Sequence, residues 1–194
     1  MGKPKIDTDT PKREAILSAA LDLFAERGFY GTPVPMIAER ARVGAGTLYR
    51  YFSSKEEMAN ALYQRWKTAF AAELIKDLEP NLPPREGFRR VWRRMLDFQS
   101  KYPIVMKFLE LHHHHSYLDQ KSRAVEQRAL TPIRDFVVLA QTRKVIKPMA
   151  PEAIIALVYG AYVGLVRAAE EGYLELEPKV IEGTEAAVWD AIAV

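Results

Sequence analysis

Fourteen residues, Gly44 to Glu57, constrain this chain more than any others. They read Gly-Ala-Gly-Thr-Leu-Tyr-Arg-Tyr-Phe-Ser-Ser-Lys-Glu-Glu. Leu48 and Phe52 are four apart, so they share one side of a helix and can be buried together. Ala45, Thr47, Tyr49, Arg50 and Tyr51 then point away from the core. The run Ser54-Lys55-Glu56-Glu57 is a capping box, which predicts that a new helix starts there. A short helix over about 45–51 is therefore pinned between a glycine N-cap and the next helix start. Its Thr, Tyr and Arg face supplies what contact with phosphates and base edges requires.

The surrounding sequence is helical throughout. Thr10-Pro11 is a good start signal, Ile16, Ala20, Leu23 and Phe24 recur at helical spacing, and Gly28 closes the helix. Thr32-Pro33 repeats the start signal for a short second helix with Ile37, Ala38 and Ala41 on its buried face. Pro33 and Pro35 fit in that helix's first turn, where a missing N–H costs little. The fourth helix carries Leu62, Trp66, Phe70 and Leu74 towards Pro80. Further helices are predicted at about 84–100, 103–116, 118–145, 151–171 and 179–192, separated by Pro and Gly breaks. No segment shows sustained strand alternation or an Asn-Gly hairpin, so the fold class is all-α.

Composition adds bounds. The 194 residues hold no cysteine, which excludes disulfides and Cys-ligated metals and fits a reducing cytosol. The N-terminus is polar, with no apolar run of a signal peptide, and the uncharged run Ala153–Val166 is too short to span a bilayer. A cytoplasmic protein with no membrane partner is expected. The net charge of +3 is unevenly placed: residues 1–70 hold 11 Lys/Arg against 8 Asp/Glu, and residues 71–194 hold 17 of each. The excess sits beside the candidate DNA face. No Ser/His/Asp order or phosphate-cradling glycine loop is present, so neither an enzyme nor a cofactor is expected.

Helices one to three have the lengths of a helix-turn-helix unit. With Phe24, Gly28, Ile37-Ala38, Thr47-Leu48-Tyr49 and Tyr51-Phe52-x-Ser54-Lys55, the chain resembles the TetR family of bacterial transcriptional repressors. The motif-level resemblance covers about residues 11–60. It implies an N-terminal arm and three-helix DNA-binding domain over 1–54, and a helical bundle for ligand binding and dimerisation over 55–194. Carried over, Ala45 offers a methyl to thymine and Gly46 lets the backbone approach the groove. Thr47, Tyr49, Tyr51 and Lys55 would hold phosphates, and Arg50 would read guanine bidentately. Two residues depart from the family pattern: Arg42 replaces the usual turn glycine and Gly44 the Ser-type cap. The second-helix positions that read bases in the family are Val34 and Pro35 here, neither of which can hydrogen-bond a base edge.

Ala156, Gly160, Gly164 and Ala168 recur every four residues on a helix that is apolar nearly all round. Such a stripe lets two helices approach closely, so a homodimer through this helix and the last one, with Trp189, is expected. The alternative is burial inside one subunit. The middle helices are rich in large apolar side chains, for which a bundle core is the simpler reading. The resemblance implies an inducer cavity among them, for which Trp92, Met95, Phe98, Met106, Leu109, Tyr159 and Tyr162 are the candidates, suited to a mostly apolar effector. His112 and His115, within the run His112–His115, lie at i, i+3 and could supply two metal ligands, but no second ligand cluster accompanies them. The resulting expectation is a homodimeric repressor of palindromic double-stranded operator DNA, released by a small effector. The alternative is a helical ligand-binding or interaction module that does not read DNA specifically.

Overall fold

A computed structural model describes residues 10–76, 78–79, 81–110 and 116–194. Among them are nine α-helices and no strand: α1 Thr10–Arg27, α2 Val34–Arg40, α3 Ala45–Tyr51, α4 Lys55–Ile75, α5 Pro84–Lys101, α6 Pro103–Leu109, α7 Gln120–Thr142, α8 Pro151–Glu170 and α9 Pro178–Ile192. The all-α class follows the helical periodicity. Two boundaries fall short of the sequence expectation. Helix α4 stops at Ile75 rather than near Pro80, and α6 stops at Leu109 rather than 116, with Glu110 as its C-cap.

The helices form two compact units. The first holds the described residues of 1–69 together with Lys101–Glu126, and the second holds Phe70–Ser100 and Gln127–Val194. This division does not fall at residue 54. The first unit takes in α6, because Phe108 is fully buried and stacks on Phe24 of α1 with ring centroids 6.1 Å apart.

The core of the first unit is the set that helical spacing picks out. Ile16, Ala20, Leu23 and Phe24 of α1, Ile37 of α2, Leu48 of α3 and Met58 of α4 are fully buried, and Phe52 and Leu62 nearly so. Around this core, turn chemistry sets the angles. Gly28, at φ +71, ends α1. Thr32, instead of capping α2, is fully buried and its hydroxyl turns back to the carbonyls of Leu23 (3.1 Å) and Gly28 (2.8 Å). The N-cap of α2 is Pro33. Gly31 is required by close approach, since a Cβ there would lie 2.4 Å from the Arg27 carbonyl oxygen. Backbone cannot yield as a side-chain tip can, so Gly31→Ala is expected to lower unfolding stability by about 1–3 kcal/mol in a denaturant titration.

A buried polar network joins α4 to the start of α7 inside the first unit. Asn60 donates to the carbonyls of Glu56 (2.8 Å) and Tyr117 (2.9 Å). Its Oδ1 accepts from the Asp119 N–H (2.9 Å) and the Ser122 hydroxyl (2.6 Å). Asp119 caps α7 by accepting the Ser122 N–H at 2.7 Å, and Gln64 donates to Ser122 Oγ at 3.0 Å.

In the second unit, α5 presents Phe88, Trp92, Met95 and Phe98 to the interior. Arg85 forms a two-pronged pair with the buried Glu185 of α9 and lies over the Trp189 ring, 5.2 Å from its centroid. Phe88 packs on the same ring at 5.3 Å. Helix α8 is longer than its uncharged run, and by length and composition it is apolar enough to cross a membrane.

Candidate nucleic-acid interface

Helix α3 spans the seven residues Ala45–Tyr51 that the sequence marks out, with Gly44 as an extended N-cap that makes no side-chain cap bond. Leu48 and the C-cap Phe52 anchor it, the former fully buried and the latter 1% exposed. The Arg13 guanidinium of α1 sits over the Phe52 ring at 5.1 Å. The opposite face is open: Ala45, Gly46, Tyr49 and Arg50 are exposed, and Tyr49 keeps 54% of its surface. Thr47 and Tyr51 are half-buried at the edge of this face, and Tyr51 packs against the core. A Cβ on Gly46 would meet nothing within 4 Å, so no clash inside the protein requires glycine there.

Arg50 lies along its neighbour. Its Nη2 donates to the Tyr51 hydroxyl at 3.0 Å and its Cζ sits 5.1 Å from the Tyr51 ring centroid. Stacking on an aromatic limits the rotamers of a long side chain while leaving guanidinium N–H groups directed outward.

The other cations near the face differ in what they touch. Lys55 opens α4, but its ammonium donates to the Phe29 carbonyl at 2.8 Å and lies over the Phe29 ring at 4.3 Å. In the free protein it therefore holds the α1–α2 connection instead of offering an open phosphate ligand. Arg40 grips Glu26 with two bonds of 3.0 and 3.2 Å. That hydrogen bond holds the Glu26 carboxyl below its ordinary value of 4.5. The capping box keeps Ser54 as its cap, and only its return bond moves by one residue. Ser54 Oγ accepts the Glu57 N–H at 3.2 Å, while Glu57 returns to the N–H and hydroxyl of Ser53 at 2.6 and 2.8 Å. On α2, Val34 packs against the core and Pro35 is exposed with no N–H to give.

The connection between α2 and α3 completes a helix-turn-helix. A family model described as "Bacterial regulatory proteins, tetR family" matches residues 16–62, and one described as "Tetracyclin repressor-like, C-terminal domain" matches residues 63–194. The chain belongs to the TetR family. It is 24% identical over 174 residues to the uncharacterized HTH-type transcriptional regulator YhgD of Bacillus subtilis, covering 89% of this chain and 91% of that protein. A TetR-family transcriptional regulator from Vibrio parahaemolyticus superposes with a TM-score of 0.78 at 27% identity, over 94% of this chain and 99% of that one. One from Marinobacter aquaeolei VT8 shares the fold, with a TM-score of 0.84 at 24% identity, over 95% and 97% of the two chains. The protein is thus a helix-turn-helix transcriptional regulator that binds DNA, of a family that is generally non-enzymatic.

The remaining candidate residues of this TetR-family regulator are distributed as follows. Trp92, Met95, Phe98 and Tyr162 are buried in the second unit, with Tyr159 half-buried beside Tyr162 at 5.7 Å. Met106 and Leu109 belong instead to the first unit, where Leu109 packs against its core. An open cleft of about 280 Å³ in the second unit is lined by a different set, including Ile75, Leu82, Pro132, Phe136 and Arg143. No periodicity within one helix could have found it, because it joins residues some sixty positions apart. Ala156, Gly160 and Gly164 are exposed along α8 and Ala168 is half-buried, but Trp189 is turned inward to Phe88 and Arg85. His112 and His115 lie outside the described residues. Among the described residues, no group of three or more His, Asp or Glu side chains is placed to hold a metal ion.

Proposed function

We propose that this regulator is a ligand-responsive repressor: a cytoplasmic homodimer that binds a palindromic operator and is released by a small, mostly apolar effector. The observation that carries the DNA half of this reading is α3 itself. It is anchored from below by Leu48 and Phe52 and presents Ala45, Gly46, Tyr49 and Arg50 to solvent. A lone short helix reads too few bases for specificity, and a two-fold dimer doubles the contact.

The exposed side of α8 supports the dimer. Ala156, Leu157, Gly160 and Gly164 form an apolar, low strip, and a Cβ on either glycine would meet nothing within 4 Å. Half-exposed Leu157 in such a strip calls for a partner. Trp189 serves the interface indirectly, by holding α9 against its own unit. The buried aromatic and methionine side chains of α5 and α8 support an apolar effector. Trp92 adds a polar requirement: its indole N–H is buried with no acceptor among the described residues. An effector carrying a carbonyl or carboxylate oxygen would satisfy it.

Light scattering with and without an upstream duplex tests the assembly. The expected result is a dimer in solution, and a monomer for Gly164→Glu, which places a charge in the strip. A wild-type monomer at micromolar concentration would defeat the dimer reading.

A further inference from the structure

The turn between α2 and α3 carries a residue that its backbone disfavours. Arg42 is held at φ +55, in the left-handed region that glycine enters without steric cost. Two hydrogen bonds impose that conformation: Arg42 N–H to the Glu39 carbonyl and Val43 N–H to the Ala38 carbonyl, both 3.0 Å. This is the Schellman closure of a helix, with arginine at the position glycine normally takes. Ala41 and Val43 on either side pack against the core, so the turn cannot relax, and Arg42 between them is exposed.

Among the described residues Arg42 makes no ion pair or side-chain hydrogen bond. Its neighbours differ: Arg40 is committed to Glu26, Lys55 to Phe29 and Arg50 to Tyr51. The turn thus carries, just before α3 in the chain, a cation with no ion pair or side-chain hydrogen bond among the described residues. What sets Arg42 apart is its place: an exposed guanidinium two residues before the N-cap of the helix that faces DNA is positioned for a phosphate.

We propose that Arg42 is a DNA-backbone contact, placing a guanidinium on a phosphate beside the groove that α3 enters. The assignment rests on the DNA-binding reading above and adds to it a residue outside the recognition helix. Arg42 positions the protein without selecting sequence, because phosphate contacts are common to all duplexes.

The chain contains its own control. Lys144, in the second unit, closes α7 with the same turn, at φ +56 with bonds of 2.8 and 3.0 Å, and is also exposed. Arg42→Gly and Lys144→Gly relieve the same strain, so each is expected to raise Tm by about 2–4 °C. Only Arg42→Gly is expected to weaken DNA binding. Fluorescence anisotropy over a salt series, with a duplex from the gene's own upstream region and a scrambled duplex, reads the difference. Arg42→Gly is expected to lose on the order of tenfold in affinity for both duplexes at moderate salt. The slope of log affinity on log salt becomes shallower by about two per dimer, one phosphate for each chain. Arg42→Lys is expected to keep most of the affinity, and Lys144→Gly all of it. If Arg42→Gly binds both duplexes with wild-type affinity and slope, the proposal is overturned while the DNA-binding reading stands. If Arg42→Gly lowers Tm, the strain argument is overturned. Wild-type protein without salt-dependent binding to either duplex overturns both readings.

Discussion

Arg50→Ala is expected to remove most of the preference of this regulator for its own operator over a scrambled duplex. A bidentate arginine–guanine contact contributes about 1–3 kcal/mol of discrimination per half-site, and a dimer loses it twice. The effect should be unusually large because α2 offers so little help. Val34 packs against the core and Pro35 has no donor, so in the proposed complex hydrogen-bonded base reading would fall to α3. On α3 as proposed, Ala45 and Gly46 would provide shape and a methyl, Tyr49 a phosphate-reaching hydroxyl, and Arg50 the two-pronged donor. Tyr51 orients Arg50 through the 3.0 Å bond and the stacked ring. Tyr51→Phe keeps the ring and loses the bond, so it should weaken discrimination less than Arg50→Ala does. Competition binding with operator and scrambled DNA at one salt concentration reads this directly. Tyr49→Phe should lower affinity for both duplexes alike, because its partner is the backbone.

Asn60→Ala is expected to be among the most damaging single changes to stability. Asn60 is 6% exposed and makes four hydrogen bonds, and Ser122 is fully buried beside it. Alanine leaves the Tyr117 carbonyl, the Asp119 N–H and the Ser122 hydroxyl without that partner in a site shut off from water. Each stranded buried group costs about 1–3 kcal/mol, and after partial relaxation a loss of about 2–4 kcal/mol is expected. For a chain of this size that lowers Tm by roughly 5–15 °C, measured by calorimetry. A control is the exposed pair Arg134–Glu152, bonded at 2.9 Å; Arg134→Ala should leave Tm close to that of the wild type.

The same network makes stability depend on acid. Burial raises the Asp119 carboxyl, but hydrogen bonding to Ser122, with the 2.7 Å bond from its N–H foremost, outweighs it, so the group lies below its ordinary value of 3.8. A carboxyl lowered in the folded state stabilises above its unfolded value. That contribution is lost as pH falls through the lower, folded value. Asp119→Asn should therefore flatten the decline in stability below about pH 4 and leave neutral-pH stability less changed than Asn60→Ala does.

Local chemistry was legible in the sequence where it decides the structure. The limits of α3 follow from Gly44 and the capping residues, and its buried anchors from the four-residue spacing of Leu48 and Phe52. Interactions between distant segments were not. Lys55 reads as a helix-start cation, but its partner is a carbonyl 26 residues earlier. Thr32 reads as a cap, but its hydroxyl bonds backward because the α1–α2 turn buries it. Trp189 reads as interface, but Arg85 and Phe88 on another helix hold it inward. The candidate pocket set divides between the two units because aromatic and methionine content identifies burial without identifying which core receives it. Asn60 and Gln64 gave one unused signal, two amides one turn apart among apolar residues near the start of a long helix.

In the function proposed here, α3 reads a two-fold DNA site. Anisotropy titration of the wild-type protein against its upstream duplex and a scrambled duplex, across a range of salt, tests it most directly. The expected result is two chains per duplex, affinity that falls steeply with salt, and a preference for the upstream sequence that Arg50→Ala largely removes. Equal affinity for both duplexes at every salt concentration, unchanged in Arg50→Ala, would contradict it.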